Sequence, residues 1–425
     1  MSLMTYDEAR PWARSIKAKV LTGEMPPWFA DPQYGKFRNE RRLSQAQIDT
    51  LAAWVDAGAP QGAGAPPTPR RFPPNSSGFM DRPPDYVLKM PVEIAIPAAG
   101  EPPYVKVWSK SPFPRDVYLE AVELRPGNRR VTHHSSTGGT PLPAGARLRT
   151  APAWPGGPVV KDAVALLRDG SPAVGNEMTG NVLVFYVPGG GFQRFRPGMA
   201  RRLRRDDYIL WSVHYMPTGK PETDRHTLAL WIAKTPPTHE VVTAAASETH
   251  LVEGQPVAAG DERLLAPIPP YAENYERTGI ISFKEPVTLV GLWPHMHWYG
   301  KDMTFVVAYP DGRQETLLSV PKYDFNWEIQ YELLEPLKLP PGSSIRATAH
   351  YDNSRKNPRN LTPDQPVTWG FQSWNEMFGP FLEIVYDNRL LPRRDPFAPD
   401  CDPFGQGVQL PGAGGDASLG GPPCR

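Results

Sequence analysis

Nine histidines occur in the 425 residues, and five of them fall into local patterns that could hold a metal ion. The tightest is His295-Met296-His297, in a run that reads as a strand. Side chains at i and i+2 of a strand project from one face, so these two imidazoles can grip one ion. His133-His134 is looser, because neighbours on a regular strand point oppositely and can converge only at a strand end or a bulge. His214 sits in SVHYMPTGK, where a strand runs into a turn. Taken singly, each pattern also has an ordinary structural explanation. A lone histidine is more often a hydrogen-bonded core or surface residue than a ligand, and Met377 alone would be counted as core packing, since methionine fills gaps. Spacing by itself leaves metal binding open at each position.

The elements that must position these residues are mostly strands. Pro 53 and Gly 37 make up about a fifth of the chain, above average usage. With frequent Val, Thr, Tyr, Phe and Trp, this predicts short strands joined by proline-rich turns. From about residue 85 the runs VLKMPVEIAIP, VYLEAVEL, NVLVFYVPGG, YILWSVHYMP and TLALWIAK are bounded by Pro, Gly or Asp. GIISFKEPVTLVGLWPHMHWYG, MTFVVAYPDG and SIRATAHYDN repeat the pattern after about 240. The expected fold is mainly all-β: two tandem jelly-roll-like β-sandwich domains at 85–240 and 241–395, with a small α-helical N-terminal segment at 1–60. In that segment Thr5 with Glu8, and Ser44 with Gln47, are capping-box patterns opening two helices. A Pro/Gly-rich linker is expected at 61–84 and a disordered tail at 396–425. RRLRRDD (201–207) reads as a solvated turn, and His350 as a turn residue.

The bulk numbers exclude several functions. Lys plus Arg number 46 and Asp plus Glu 45, so no electrostatic case for nucleic acid arises. The two cysteines, Cys401 and Cys424, lie in the tail and could form at most one bridge; a disulfide framework is ruled out. No membrane span and no signal peptide are visible.

Along the chain the order is His133-His134, His214, His295-Met296-His297, then Asn375-Glu376-Met377. On an all-β chain this order resembles the copper type II, ascorbate-dependent monooxygenases, the family of peptidylglycine α-hydroxylating monooxygenase and dopamine β-monooxygenase. The resemblance covers about 90–395, tandem halves included. It implies two copper ions, one on His133, His134 and His214 and the other on His295, His297 and Met377. It further implies that O2 is activated and a C–H bond of a small organic substrate is broken at the catalytic set, His295, His297 and Met377. The three-His copper would supply an electron, with ascorbate or another one-electron donor as reductant. The donor types agree: imidazole suits copper and a thioether favours Cu(I), whereas zinc prefers thiolate or carboxylate beside histidine.

Two departures bear on substrate. Where the peptide-hydroxylating member holds its substrate's carboxylate with an Arg and a Tyr, this chain has Trp293 and Phe381, which argues against a glycine-extended peptide. Trp293, Trp298, Trp374 and Phe378 suggest an apolar or aromatic substrate, though sandwich core explains them as well. The animal enzymes are disulfide-rich; the absence of cysteine from the matching region fits a bacterial relative.

GEMPPW and the helix after it resemble the C-terminal half of a class I cytochrome c, which implies Met25 as an axial haem ligand. Covalent haem c needs a C-x-x-C-H motif, and no cysteine precedes 401 and no histidine precedes 133. Haem is therefore expected only in a longer form of the chain: either its start has been set too late, the reading preferred here, or the segment is a remnant of such a domain. By family the protein is then periplasmic or secreted. Two alternatives stand beside the monooxygenase: a copper-binding or electron-transfer protein of the same fold without hydroxylase activity, and a structural β-sandwich whose histidines are coincidental.

Overall fold

Alternation of apolar residues decides which face of each strand is buried. The computed structural model describes residues 3–65, 79–100, 102–173, 182–187, 190–248, 251–252, 255–256, 266–283 and 285–387. Part of the linker expected at 61–84, the tail expected at 396–425, and both cysteines lie outside them.

The first half is built from β1 (Tyr86–Lys89), β2 (Val105–Lys110), β3 (Val117–Arg125), β4 (Thr132–Thr140), β5 (Val182–Tyr186), β6 (Met199–Leu203), β7 (Tyr208–Tyr215) and β8 (Thr227–Ile232). The sheet β1-β8-β3-β6 faces the sheet β2-β7-β4-β5 across a core that includes Val107, Leu119, Leu183, Trp211 and Leu228. In β7, Ile209, Trp211, Val213 and Tyr215 enter this core. The alternate residues Ser212 and His214 must therefore face away from it, towards the second half.

The second half uses β9 (His239–Ala245), β10 (Tyr275–Ser282), β11 (Val287–His295), β12 (Gly300–Ala308), β13 (Gln314–Val320), β14 (Tyr331–Leu339), β15 (Ser344–Tyr351) and β16 (Gly379–Asp387). Here β9-β16-β11-β14 packs on β10-β15-β12-β13 over Val242, Leu289, Phe305, Ala347 and Ile384. The halves share a sheet. Strand β6 pairs in parallel with β9, so the two larger sheets run on as one. A buried ion pair clamps this seam: Arg201 of β6, 1% exposed, donates to both carboxylate oxygens of Glu383 on β16 at 2.5 and 2.6 Å.

The protein is mainly all-β with a helical N-terminal segment. Both capping boxes form, at Thr5 and at Ser44. The first helix is broken into Tyr6–Ala9 and Ala13–Leu21 by a 3-10 turn over Arg10–Trp12, because Pro11 lacks the N–H that an unbroken helix needs. The segment is not independent of the sandwiches. Trp28, Ala30 and Phe37 insert into the second core, with Trp28 and Phe37 edge-on to Tyr331 at 4.9 and 5.4 Å. Two readings need correcting. Residues 201–203 are not a solvated turn but the end of β6, with Arg201 buried, because the ion pair with Glu383 outweighs the preference of arginine for water. His350 is not a turn residue but lies in β15, 2.7 Å from Asp302 through Nδ1.

Candidate metal centre

The His133-His134 pair converges by way of a bulge. His214 on β7 pairs with His134 on β4, while the next residue, Tyr215, pairs with Thr132, so His133 is passed over in the ladder. An unpaired extra residue bends the strand and re-aims its side chain, and adjacent imidazoles can then reach one point. One ligand nitrogen from each of His133, His134 and His214 lies within 4.8 Å of the others.

The second set is held differently. Strand β11 ends at His295, but the alternation continues past it: Met296 turns into the second core, and His295 and His297 face each other with rings 5.2 Å apart. Met377 is buried and lines the same cleft as His295. Gly379, paired with His295 across the ladder, must be glycine, because a Cβ there would lie 2.9 Å from that of His295.

Hydrogen bonds fix which nitrogens are free. His295 Nδ1 lies 2.5 Å from the Glu328 carboxylate; a carboxylate accepts, so Nδ1 carries a proton and Nε2 is the nitrogen left to face a metal. His297 Nδ1 donates to the Asn375 carbonyl at 3.3 Å, and its buried Nε2 has no hydrogen-bond partner among the described residues. In the first set the buried Nδ1 atoms of His133 and His214 are likewise unpartnered. Buried polar atoms without partners are costly and call for an explanation. A bound cation supplies one, and soft Cu(I) suits a set of imidazoles and a thioether. The residues therefore fit copper.

The two sets face each other across one cleft. The rings of His134 and His295 are 6.2 Å apart, and Phe325 lies among them, stacked on His133 at 4.5 Å and 6.1 Å from His297. The cleft is lined by Tyr104, Phe185, Trp293 and Phe371 beside Met377, with Ser136 and Ser212 from the first half. Phe185 and Trp293 meet at 4.1 Å, and Trp293 stacks with Phe381 at 5.0 Å. The Tyr104 hydroxyl is 3.1 Å from His134, and its ring stacks on His214 at 4.9 Å. Trp298 packs against the second core, Phe378 is part of it, and Trp374 is exposed; none of these three lines the cleft.

Met25 stands apart from this assembly, 42% exposed in the turn after the helical stretch Ala13–Leu21. The printed sequence offers no proximal histidine or cysteine pair beside it, so the residues present do not fit haem c.

Burial disfavours the charged form of four of the site imidazoles. His214 is pushed down to about 3, His133 lies below its ordinary value, and His134 and His297 lie well below it, with neighbouring imidazoles adding to the effect. The neutral ring is the form a metal binds. The unfolded chain takes up these protons near pH 6.5, whereas folded His214 resists until about 3. Copper-free protein is therefore expected to lose stability as pH falls from about 6.5 towards 3, His214 alone contributing on the order of 5 kcal/mol. Urea unfolding across that window checks this; an unchanged midpoint would contradict it.

Sequence reasoning missed Glu328, Tyr104 and Phe325, which no local motif announces. Glu376 does carry a local signal, its position next to the candidate ligand Met377.

No family model matches the chain, and no curated protein matches it. Among solved structures, PNGF-II aligns at 10% identity over 70% of this chain and 65% of that one, with a TM-score of 0.25. Latent PorU from Porphyromonas gingivalis aligns at 10% identity over 66% and 25%, with a TM-score of 0.17. The PBSX exported protein XepA aligns at 10% identity over 74% and 99%, with a TM-score of 0.15.

Proposed function

We propose that the protein is a dicopper monooxygenase, hydroxylating a C–H bond of an uncharged organic substrate with O2 and two electrons from ascorbate or a similar donor. The balance is R–H + O2 + 2 e− + 2 H+ giving R–OH and H2O. The observation that carries this reading is the pair of neighbouring imidazole sets: His134 and His295 line one cleft, and His133, His214 and His297 each keep a buried nitrogen without a hydrogen-bond partner among the described residues. His133, His134 and His214 would hold one ion, and His295, His297 and Met377 the other. Copper, when bound, supplies the one-electron chemistry that O2 activation needs.

The chain's own contribution is positioning. Glu328 and the Asn375 carbonyl hold Nδ1 of His295 and His297, which would leave Nε2 of each ring for the ion. The aromatic wall of Phe185, Trp293 and Phe371 keeps the cleft apolar, which favours exclusion of water from the reacting centre. Among the described residues no Lys or Arg lines the cleft, and Glu328 does; the nearby Lys106 ammonium is engaged by the Phe371 ring at 4.3 Å, so the lining favours an uncharged substrate over a carboxylate.

Reconstitution with copper followed by metal analysis tests the reading. About two ions per chain are expected, with ascorbate-driven O2 uptake coupled to product. A chain that takes up no copper removes the proposal; two ions without coupled uptake would leave an electron-transfer or storage role in its place.

A further inference from the structure

Behind the three-His set, on the core side of β4 and β7, lies a buried polar chain that the functional reading does not use. Asp224 ends a short strand, Glu222–Asp224, that pairs with Ile94–Ile96. Its Oδ2 accepts from the Tyr215 hydroxyl at 2.8 Å and lies 2.5 Å from His226 Nδ1. His226 Nε2 is 3.0 Å from the Ser135 hydroxyl. The other carboxylate oxygen, Oδ1, accepts the Asn128 N–H at 2.7 Å, and the Asn128 carbonyl in turn accepts the Thr132 hydroxyl at 3.1 Å. Ser135, Tyr215, Asp224 and His226 are each no more than 3% exposed.

The attachment points are informative. Ser135 follows His134, Tyr215 follows His214, and Thr132 precedes His133, so one carboxylate reaches a neighbour of every ligand in the first set. Those attachments span the stretch of ladder where the register slips and His133 is passed over. A bulge leaves its extra residue without ladder bonds, and strand pairing alone does not say where that residue's side chain must point. A core filled with apolar residues would stabilise the sandwich equally well without burying a carboxylate and an imidazole, whose desolvation is costly. Ligand-orienting partners of this kind usually contact the ligand itself. Here they act one residue away, on the backbone that carries it.

We propose that Asp224 and His226 are positioning residues for the three-His centre. They tie both flanks of the bulge to one buried carboxylate, so that His133, His134 and His214 converge before a metal arrives. This rests on the proposed copper reading and extends it to residues that touch neither metal nor substrate. The asymmetry is specific: the second set is braced by Glu328, on His295 Nδ1, and by Glu376, which accepts the backbone N–H groups of His297 and Met377, and the Asp224 chain makes none of its hydrogen bonds to that set.

The test is Cu(II) binding to the full chain, with His297→Ala as background so that the three-His set is the strong centre left. Asp224→Asn is expected to weaken Cu(II) binding there by about 10- to 100-fold and to shift the Cu(II) EPR hyperfine splitting of that centre. A purely structural role would lower the melting temperature without moving that spectrum. Asp224→Asn in the otherwise unaltered chain should leave the second ion's affinity unchanged. Should Asp224→Asn fail to fold, Tyr215→Phe and Ser135→Ala each remove one hydrogen bond and should weaken first-centre binding to a smaller degree. Folded variants with unaltered affinity and spectrum would overturn the proposal while leaving the dicopper reading in place. An unaltered chain that binds no Cu(II) would overturn both.

Discussion

Replacing His297 by alanine is expected to remove one of two copper ions and to slow ascorbate-driven O2 uptake by about 10^3-fold or more, on the order of 4 kcal/mol in the barrier. The size of the effect follows from the donor set. With His297 gone, the second centre keeps only His295 and Met377, and a single imidazole with a weak thioether does not hold copper firmly. His297 is also the ring whose free Nε2 is buried without a partner, so its removal takes away a donor and no intramolecular bond of that nitrogen. His214→Ala is the informative companion. It should remove the other ion, leaving the Cu(II) spectrum of the His-His-Met centre intact and the aromatic wall of Phe185, Trp293 and Phe371 undisturbed. Metal analysis, EPR and O2 consumption on the two variants separate the roles. If both variants keep two ions and full uptake, the ligand assignment is wrong.

The candidate ligands were legible in the sequence, and their supports were not. His295 and His297 could be paired because strand alternation is a local rule, and the rule holds here: Met296 enters the core while the rings of its two neighbours lie 5.2 Å apart. The condition set for His133-His134, a bulge or strand end, is met by the register slip opposite His214 and Tyr215. The all-β class followed from strand-like runs and proline-rich turns. What could not be read is long-range. Glu328 reaches His295 from a loop 33 positions along the chain, and Phe325 enters between the ligand sets from that same loop. The parallel pairing of β6 with β9, which joins the two halves into one sheet, leaves no trace in local periodicity. RRLRRDD misled for a related reason. Composition predicts solvent for a cluster of arginines, and only the position of Glu383, far along the chain, makes burial of Arg201 tolerable. The N-terminal segment was legible as two capped helices. Its Trp28 and Phe37 gave no sign that they would complete the core of a sandwich beginning about 200 residues later.

Glu376→Ala is expected to cost about 3–5 kcal/mol of stability and to loosen the second centre at the same time. The Glu376 side chain is completely buried, and its carboxylate accepts three backbone N–H groups: His297 at 2.5 Å, Tyr299 at 3.0 Å and Met377 at 2.8 Å. It therefore joins the turn after β11 to the loop carrying Met377, and two of its three donors belong to residues assigned as ligands. Truncation leaves three buried donors without an acceptor, and each unsatisfied group costs about 1–3 kcal/mol. Glu376→Gln is the discriminating variant. It keeps one acceptor oxygen but presents an NH2 group to an N–H, so it should be intermediate in both stability and copper affinity. The two residues also differ in pH dependence. Burial pushes the Glu376 carboxyl up to about 7 against the pull of its three donors, so the folded state keeps a proton that the unfolded chain releases near its ordinary value. Copper-free protein should then lose this part of its stability as pH rises from about 4.5 through 7, opposite in sign to the histidine contribution. Glu376→Gln, which cannot titrate, should lack that decline. Bound copper should also suppress it, because positive charge beside the carboxylate favours its ionised form. Urea unfolding of both chains at about pH 5 and pH 7.5, with and without copper, reads all of these effects; equal midpoints for Glu376→Ala and the unaltered chain would mean that the carboxylate does not brace the site.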